Sequence, residues 1–288
     1  MNILVTGANG QLGHECRMLS LQHPEANFVF TDVAELSITD EQAVMKMFRS
    51  QSFQYCINAA AFTAVDLAET QQDISRLVNA TAVGYLAKAC SENNCRLIHI
   101  STDYVFNGEN ESGYEPDDAT DPINVYGATK LEGEQLAITL APDSIIIRTS
   151  WVYSYYGKNF VKTMMKLMQE RNEISVVADQ TGRPTYAADL ADCIFEIIFK
   201  HDNPNPGMYH YANEGVITWY DFASAIKEIG GYDCLIHPIP SSAYPVPAKR
   251  PRYSILNTEK TVATFGVQLP AWRSSLLKCM QLLQTTTH

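Results

Sequence analysis

Apolar residues in the first half of the chain fall into short runs, and between the runs they recur at the three- and four-residue spacing of an amphipathic helix. The runs at 3–6, 28–31, 55–58, 97–101 and 144–147 are rich in β-branched and aromatic residues and predict strands. Segments 11–21, 40–50, 74–93 and 126–140 predict the helices between them. Such alternation is the pattern of an α/β protein, a doubly wound parallel sheet with helices on both faces.

Beyond Arg148 the pattern loosens. Helices are predicted at 160–170, 188–200 and 220–229, separated by segments rich in proline, glycine and asparagine. Residues 202–207 read as a surface turn. The five prolines from Pro238 to Pro251 predict an extended path over the surface or a cleft, because proline can neither donate to a ladder nor continue a helix. The expected division is a dinucleotide-binding domain over 1–148 and, over 149–288, a smaller mixed α/β domain for substrate, with the chain free to cross back.

Composition narrows the function classes. With 46% hydrophobic and 18% charged residues in 288, the chain is ordinary for a folded globular protein. It holds no apolar run long enough for a membrane span and no basic segment before the apolar residues at its start, so no membrane partner or signal peptide is expected, and the expected location is cytoplasmic. The seven cysteines, Cys16, Cys56, Cys90, Cys95, Cys193, Cys234 and Cys279, are scattered and form no Cys-x-x-Cys pair. They read as reduced and buried, with neither a disulfide framework nor a metal centre. A net charge of -11 would repel a polyanion, which argues against nucleic acid as a partner. Small anions remain possible ligands, because a helix N-terminus or a single arginine can hold a phosphate.

Candidate chemistry begins directly after the first strand, where glycines stand at 7, 10 and 13. A Gly-x-x-Gly-x-x-Gly turn between strand and helix lets the backbone approach a pyrophosphate and aims the helix N-terminus at it. Asp32 ends the second strand, where a carboxylate can accept from the adenosine ribose hydroxyls and favour NAD over NADP; capping the following turn is the other reading. Asp66 reads as a helix cap. Thr102, in Ser101-Thr102-Asp103, closes the fourth strand, where ligands of open α/β sheets bind. Tyr126 and Lys130 follow at the start of a helix, four residues apart and on one face. A lysine beside a phenol favours the ionised phenol, so Tyr126 is expected to release its proton more readily near neutral pH.

The combination resembles the extended short-chain dehydrogenase/reductase superfamily and, within it, the dTDP-4-dehydrorhamnose reductases. The likeness runs through Asn58-Ala-Ala-Ala-Phe-Thr-Ala-Val-Asp-Leu-Ala-Glu69, Ser101-Thr-Asp-Tyr-Val-Phe-Asn-Gly108, Asn124-Val-Tyr-Gly-Ala-Thr-Lys130, Arg148-Thr-Ser-Trp-Val-Tyr153, Asp179-Gln-Thr-Gly-Arg-Pro-Thr185 and Arg250-Pro251. The resemblance implies a Rossmann-type fold with NADH or NADPH as cofactor. Gly7, Gly10, Gln11, Leu12 and Gly13 would form the pyrophosphate loop, and Asp32 would take the ribose. Ala61 and Thr63 would lie along the cofactor, with Lys130 at the nicotinamide ribose. Tyr126 would be the proton donor. Thr102 and Asp103 would contact a 4-keto sugar, Trp151 would pack against it, and Asn159 and Arg250 would reach the nucleotide diphosphate.

Departures from the family pattern stand at three places. Ser37 and Ile38 occupy the adenine side, where Asp and an apolar residue are usual. Phe62 replaces a His or Tyr, and Ala188 stands where some dimeric members carry a carboxylate for magnesium. The implied reaction is reduction of dTDP-6-deoxy-L-lyxo-4-hexulose to dTDP-L-rhamnose by a monomer or homodimer that binds a nucleotide sugar. Two alternatives share the motifs. One is another nucleotide-sugar epimerase, reductase or dehydratase, although dehydratases tend to follow the strand-four threonine with Asp-Glu and this chain has Asp103-Tyr104. The other is a non-catalytic regulatory subunit of the kind that partners methionine adenosyltransferase. His99 and the methionines 164, 165 and 168 read as core residues.

Overall fold

The computed structural model describes residues 1–285. Its first half runs β1 (Asn2–Thr6), α1 (Gln11–Ser20), β2 (Asn27–Thr31), α2 (Glu41–Ser50), β3 (Tyr55–Asn58), the short α3 (Val65–Ala68) and α4 (Gln72–Arg76), α5 (Ala82–Glu92), β4 (Arg96–Thr102), α6 (Val125–Leu140) and β5 (Ile145–Thr149). The helix expected over 74–93 is interrupted by a π turn, Leu77–Thr81. That turn buries Asn79, whose amide bonds both backbone groups of Phe62 at 2.8 and 3.1 Å.

The second half adds β6 (Val152–Tyr153), α7 (Phe160–Glu170), β7 (Glu173–Val177), β8 (Thr181–Gly182), β9 (Thr185–Tyr186), α8 (Ala187–Lys200), β10 (Gly207–Tyr211), β11 (Ile217–Thr218), α9 (Trp219–Gly230), β12 (Leu235–Ile239), β13 (Tyr253–Ser254), α10 (Glu259–Phe265) and α11 (Trp272–Thr285). Helices α7, α8 and α9 follow the predicted periodicity, whereas α10 and α11 and the strands after Thr149 were not predicted, β7 among them although its Glu-Ile-Ser-Val-Val run alternates between exposed and buried. Pro238 lies inside β12, which among the described residues pairs only with β7 and so tolerates the missing donor.

Six parallel strands form the main sheet in the order β2-β1-β3-β4-β5-β10. Successive side chains alternate between its faces, and both faces are covered. Ile3, Val5, Ile57, Ile98, Ile145 and Ile147 meet Leu12 and Cys16 of α1 and Leu190, Ile194 and Ile198 of α8. Leu4, Cys56, Leu97 and Ile146 meet Val44 and Phe48 of α2, Leu86 and Cys90 of α5 and Ala137 of α6. The sheet is therefore not complete at Arg148, which lies within β5, since β10 and α8 come from the later half. A third core joins α7, α9 and α11 around Phe222 and Leu276, and Met164 and Met168 fill it. All seven cysteines are buried thiols. No helix among the described residues is long and apolar enough to cross a membrane.

Helix α6 is fixed to the sheet by a buried ion pair. Glu134 receives Arg148 Nε and Nη2 at 2.9 and 2.7 Å, and Arg148 Nη1 donates to the Pro116 carbonyl at 3.0 Å. Arginine cannot shed its charge, so Glu134→Gln leaves a buried cation without its counter-ion and should destabilise the fold by about 3 kcal/mol in urea denaturation. Unchanged stability would mean that the pair contributes nothing.

Candidate active site

The chain order places β2 on one side of β1 and β3 on the other, and the crevice at that reversal is where ligands of open sheets bind. The turn after β1 fills its floor. Gly7 has φ +67°, and a Cβ there would stand 2.6 Å from the Ala60 nitrogen, so only glycine lets the β1 and β3 turns touch. Gly13 packs against the backbone of Gly7 and Ala8, and Gly10 opens α1 with no side-chain cap on its free N–H groups. Bare helix N–H groups beside a glycine cradle suit an anionic pyrophosphate.

Above this floor lies a cleft of about 510 Å³. Of the residues singled out from the sequence, Gly10, Gln11, Leu12, Ala61, Thr63, Thr102, Asp103, Tyr126, Lys130 and Trp151 line it. Thr102 ends β4, and its hydroxyl accepts from the Tyr104 N–H at 3.2 Å and donates to Asp103 Oδ1 at 3.0 Å. Asn124 caps α6 by accepting the Gly127 N–H at 2.8 Å, which starts the helix with Tyr126 in its first turn.

Electrostatics differ from the sequence expectation at Tyr126. Burial pushes its phenol up to about 12, with a Thr102 hydrogen bond lowering it and the Asp103 charge raising it. Lys130 does not ease the proton off, because its Nζ donates to the Ile100 carbonyl at 2.6 Å and burial lowers Lys130 itself to about 8. Desolvation outweighs the neighbouring cation here, and the phenol stays protonated at neutral pH.

Other expected residues stand outside the cleft lining. Asp32 Oδ2 accepts the Asn9 N–H at 2.9 Å and Oδ1 accepts the Val33 N–H at 2.8 Å, so its carboxylate ties the glycine turn to the end of β2. Ile38 is buried in the core beside Leu36 and Val44, and the Ser37 hydroxyl pairs with Thr39. Asn159 caps α7 and donates to Gln11 Oε1 at 2.9 Å, which holds a cleft residue without facing the cleft itself. Arg250 lines a neighbouring cavity of about 840 Å³ with Asp66 and Trp219.

Asp66 is not a helix cap. Its carboxylate accepts the Ala248 N–H at 3.2 Å and pairs with Arg250 at 2.9 Å, tying the proline-rich segment to α3. Trp219, which sequence reasoning missed, stacks on Trp151 with centroids 3.6 Å apart and so stands between the two cavities. Tyr104, which the sequence marked only as a departure from the dehydratase pattern, lines the cleft, and its ring meets that of Tyr126 edge-on at 5.5 Å.

Asp103 is buried with Oδ2 unpaired, and burial raises its carboxyl to about 6. A carboxyl raised in the folded state contributes its full stability below the unfolded value near 3.9, and that stability is lost as pH rises through about 6. Asp103→Asn removes this loss. Its stability relative to the unsubstituted chain should therefore improve by about 2 kcal/mol between about pH 4.5 and about pH 8, read from denaturation midpoints. A pH-independent difference would mean that Asp103 titrates normally.

The comparisons with known proteins agree along the whole chain. The family described as the RmlD substrate binding domain matches residues 1–285. The dTDP-4-dehydrorhamnose reductase of Aggregatibacter actinomycetemcomitans is 40% identical over 283 residues, 95% of this chain and 96% of that one. The crystal structure of a dTDP-4-dehydrorhamnose reductase from Clostridium acetobutylicum superposes with a TM-score of 0.95 at 40% identity, over 99% of this chain and 100% of the other. The enzyme of that name from Bacillus anthracis, solved in complex with NADP, gives 0.93 at 38% identity over 97% and 98%. A Rossmann-type sheet, a glycine cradle at its reversal and these full-length likenesses have one common reading: the chain belongs to the RmlD family, that of the dTDP-4-dehydrorhamnose reductases.

Proposed function

We propose that this chain reduces the 4-keto group of dTDP-4-dehydro-6-deoxy-L-mannose to give dTDP-L-rhamnose, with NADH or NADPH as cofactor and Tyr126 as proton donor. The observation that carries the reading is the convergence of Thr102, Tyr126 and Lys130 on one cleft above the glycine cradle. The B. anthracis relative was solved with NADP, which makes NADPH the first cofactor to test.

The nicotinamide, when bound, supplies the hydride. Gly10, Gln11 and Leu12 would hold its pyrophosphate at the N-terminus of α1, with Ala61 and Thr63 alongside. Tyr126 keeps its proton until the substrate oxygen has become an alkoxide, a stronger base than a phenolate, and then transfers it. Thr102, which lines the same cleft, would turn its hydroxyl from Asp103 to steady that oxygen as charge develops. The unpaired Oδ2 of Asp103 suits a sugar hydroxyl, and the Trp151 ring suits an apolar sugar face. Arg250 would exchange Asp66 for the nucleotide diphosphate, while Asn159 would act through Gln11. Tyr104 occupies the place where a dehydratase would need a carboxylate, which favours reduction.

The test follows the loss of reduced-nicotinamide absorbance with freshly generated keto sugar. The unsubstituted chain should oxidise the cofactor only when the sugar is present. Tyr126→Phe should lower turnover by about 10²- to 10⁴-fold while cofactor affinity stays within a few-fold. Near-normal turnover in this variant would remove Tyr126 from the role.

A further inference from the structure

Lys130 ends a directional series of buried hydrogen bonds that the proposed chemistry does not use. Ala60, in the turn after β3, donates its N–H to Asn58 Oδ1 at 3.2 Å, and the Thr6 hydroxyl donates to the same oxygen at 2.7 Å. Those donors fix which end of the Asn58 amide is oxygen. The other end, Nδ2, lies 3.0 Å from His99 Nδ1 and has only hydrogens to offer, so Nδ1 accepts. A neutral imidazole carries one proton, and that proton then stands on Nε2.

His99 Nε2 lies 3.4 Å from Lys130 Nζ, and Asn58, His99 and Lys130 are all buried. An N–H aimed at Nζ meets a lone pair on the neutral amine but a further proton on the ammonium. We propose that His99, oriented by Asn58, is a positioning residue for Lys130: it holds Nζ against β4 and shifts the side chain's balance toward the neutral amine. The catalytic use of Lys130 rests on the function proposed above; the hydrogen-bond series does not.

The charged and titratable groups around Lys130 are few. Glu134, one turn further along α6, favours the ammonium but is already tied to Arg148 of β5. Tyr126 lies one turn back, and Asp103 and Tyr104 come from the 3-10 turn after β4. Glu69, at the end of α3, accepts the Val125 N–H. From α4 and the π turn the uncharged Ser75 and Asn79 meet Thr129, and α5 meets α6 through Gly84 against Leu136 and Leu140. Burial acts in the same direction as His99 on the lysine, and it holds His99 itself well below the ordinary imidazole range, hence neutral. The series starts at Thr6 and Ala60, the residues on either side of the Gly7 contact, so the cofactor floor and Lys130 share one support.

The test is an NMR titration of the full chain labelled on lysine side chains, with the Lys130 signal identified by its loss in Lys130→Arg. Lys130 should titrate near 8 in the unsubstituted chain. His99→Asn keeps an acceptor for Asn58 but removes the group facing Nζ, and should raise the midpoint by about one pH unit. His99→Gln, with an amide N–H of similar reach, should keep it unchanged. Nitrogen shifts of labelled His99 should identify a neutral ring protonated at Nε2, a measurement that needs no variant to fold. A proton on Nδ1, or the same Lys130 midpoint in His99→Asn as in the unsubstituted chain, overturns the proposal. Because none of these readouts uses the keto sugar, failure of the reductase assay would count against the reaction alone.

Discussion

Tyr126, Lys130 and Glu134 follow one another at four-residue spacing and so form one stripe along α6, and the position of that stripe is set where Glu134 meets Arg148. The bond is bidentate and buried, and it joins the helix to β5 one residue before Thr149. A buried ion pair adds little net stability over a well-packed apolar pair, but it permits no slippage, since any shift leaves charge unpaired in a dry interior. Trp151 follows two residues after the end of the strand that carries Arg148. One joint therefore bears on the position of both the phenol and the indole that line the cleft.

The groups inside the cleft are treated differently. Asp103 and Lys130 have no bidentate partner, and burial moves both toward neutrality, to about 6 and about 8. Each then titrates within reach of physiological pH, the condition in which a side chain can change its proton at little cost. Tyr126 is moved the other way from what proton release would need, and that suits a group whose task is to wait for a stronger base. The core secures charge by pairing it, whereas the site leaves it partly unpaired.

Much of the first half was legible because its signals are local. A strand buried on both faces is a continuous apolar run, a glycine at positive φ has few substitutes, and a helix cap is one residue. Lys130 and Tyr126 were placed correctly on one helix face, yet their electrostatic relation was not, because desolvation depends on everything packed around α6. The second half was less legible for a related reason. Its strands β6, β8, β9, β11 and β13 are two residues long, too short for any periodicity, and β10 reads Gly-Met-Tyr-His-Tyr with no polar alternation to mark a sheet edge. Asp66 looked like a cap because its partners, Ala248 and Arg250, lie far along the chain.

Trp151 explains why the later half must fold against the cleft at all. Its backbone sits at φ +48°, a left-handed conformation that an aromatic residue adopts only at a cost of order 1–3 kcal/mol. Two contacts from the second half hold it there. Trp219, the first residue of α9, lies parallel to the indole at an interplanar angle of 13°, and Gly182 of β8 lies beneath it, where a Cβ would come within 2.8 Å of the ring. The glycine in Asp179-Gln-Thr-Gly-Arg-Pro-Thr185 therefore has a steric reason that the sequence could not supply: it makes room for an indole from the link between β5 and β6. The strain at Trp151 and the glycine at 182 are two sides of one contact, by which β8 and α9 fix an aromatic side chain in the lining of the cleft that also holds Tyr126.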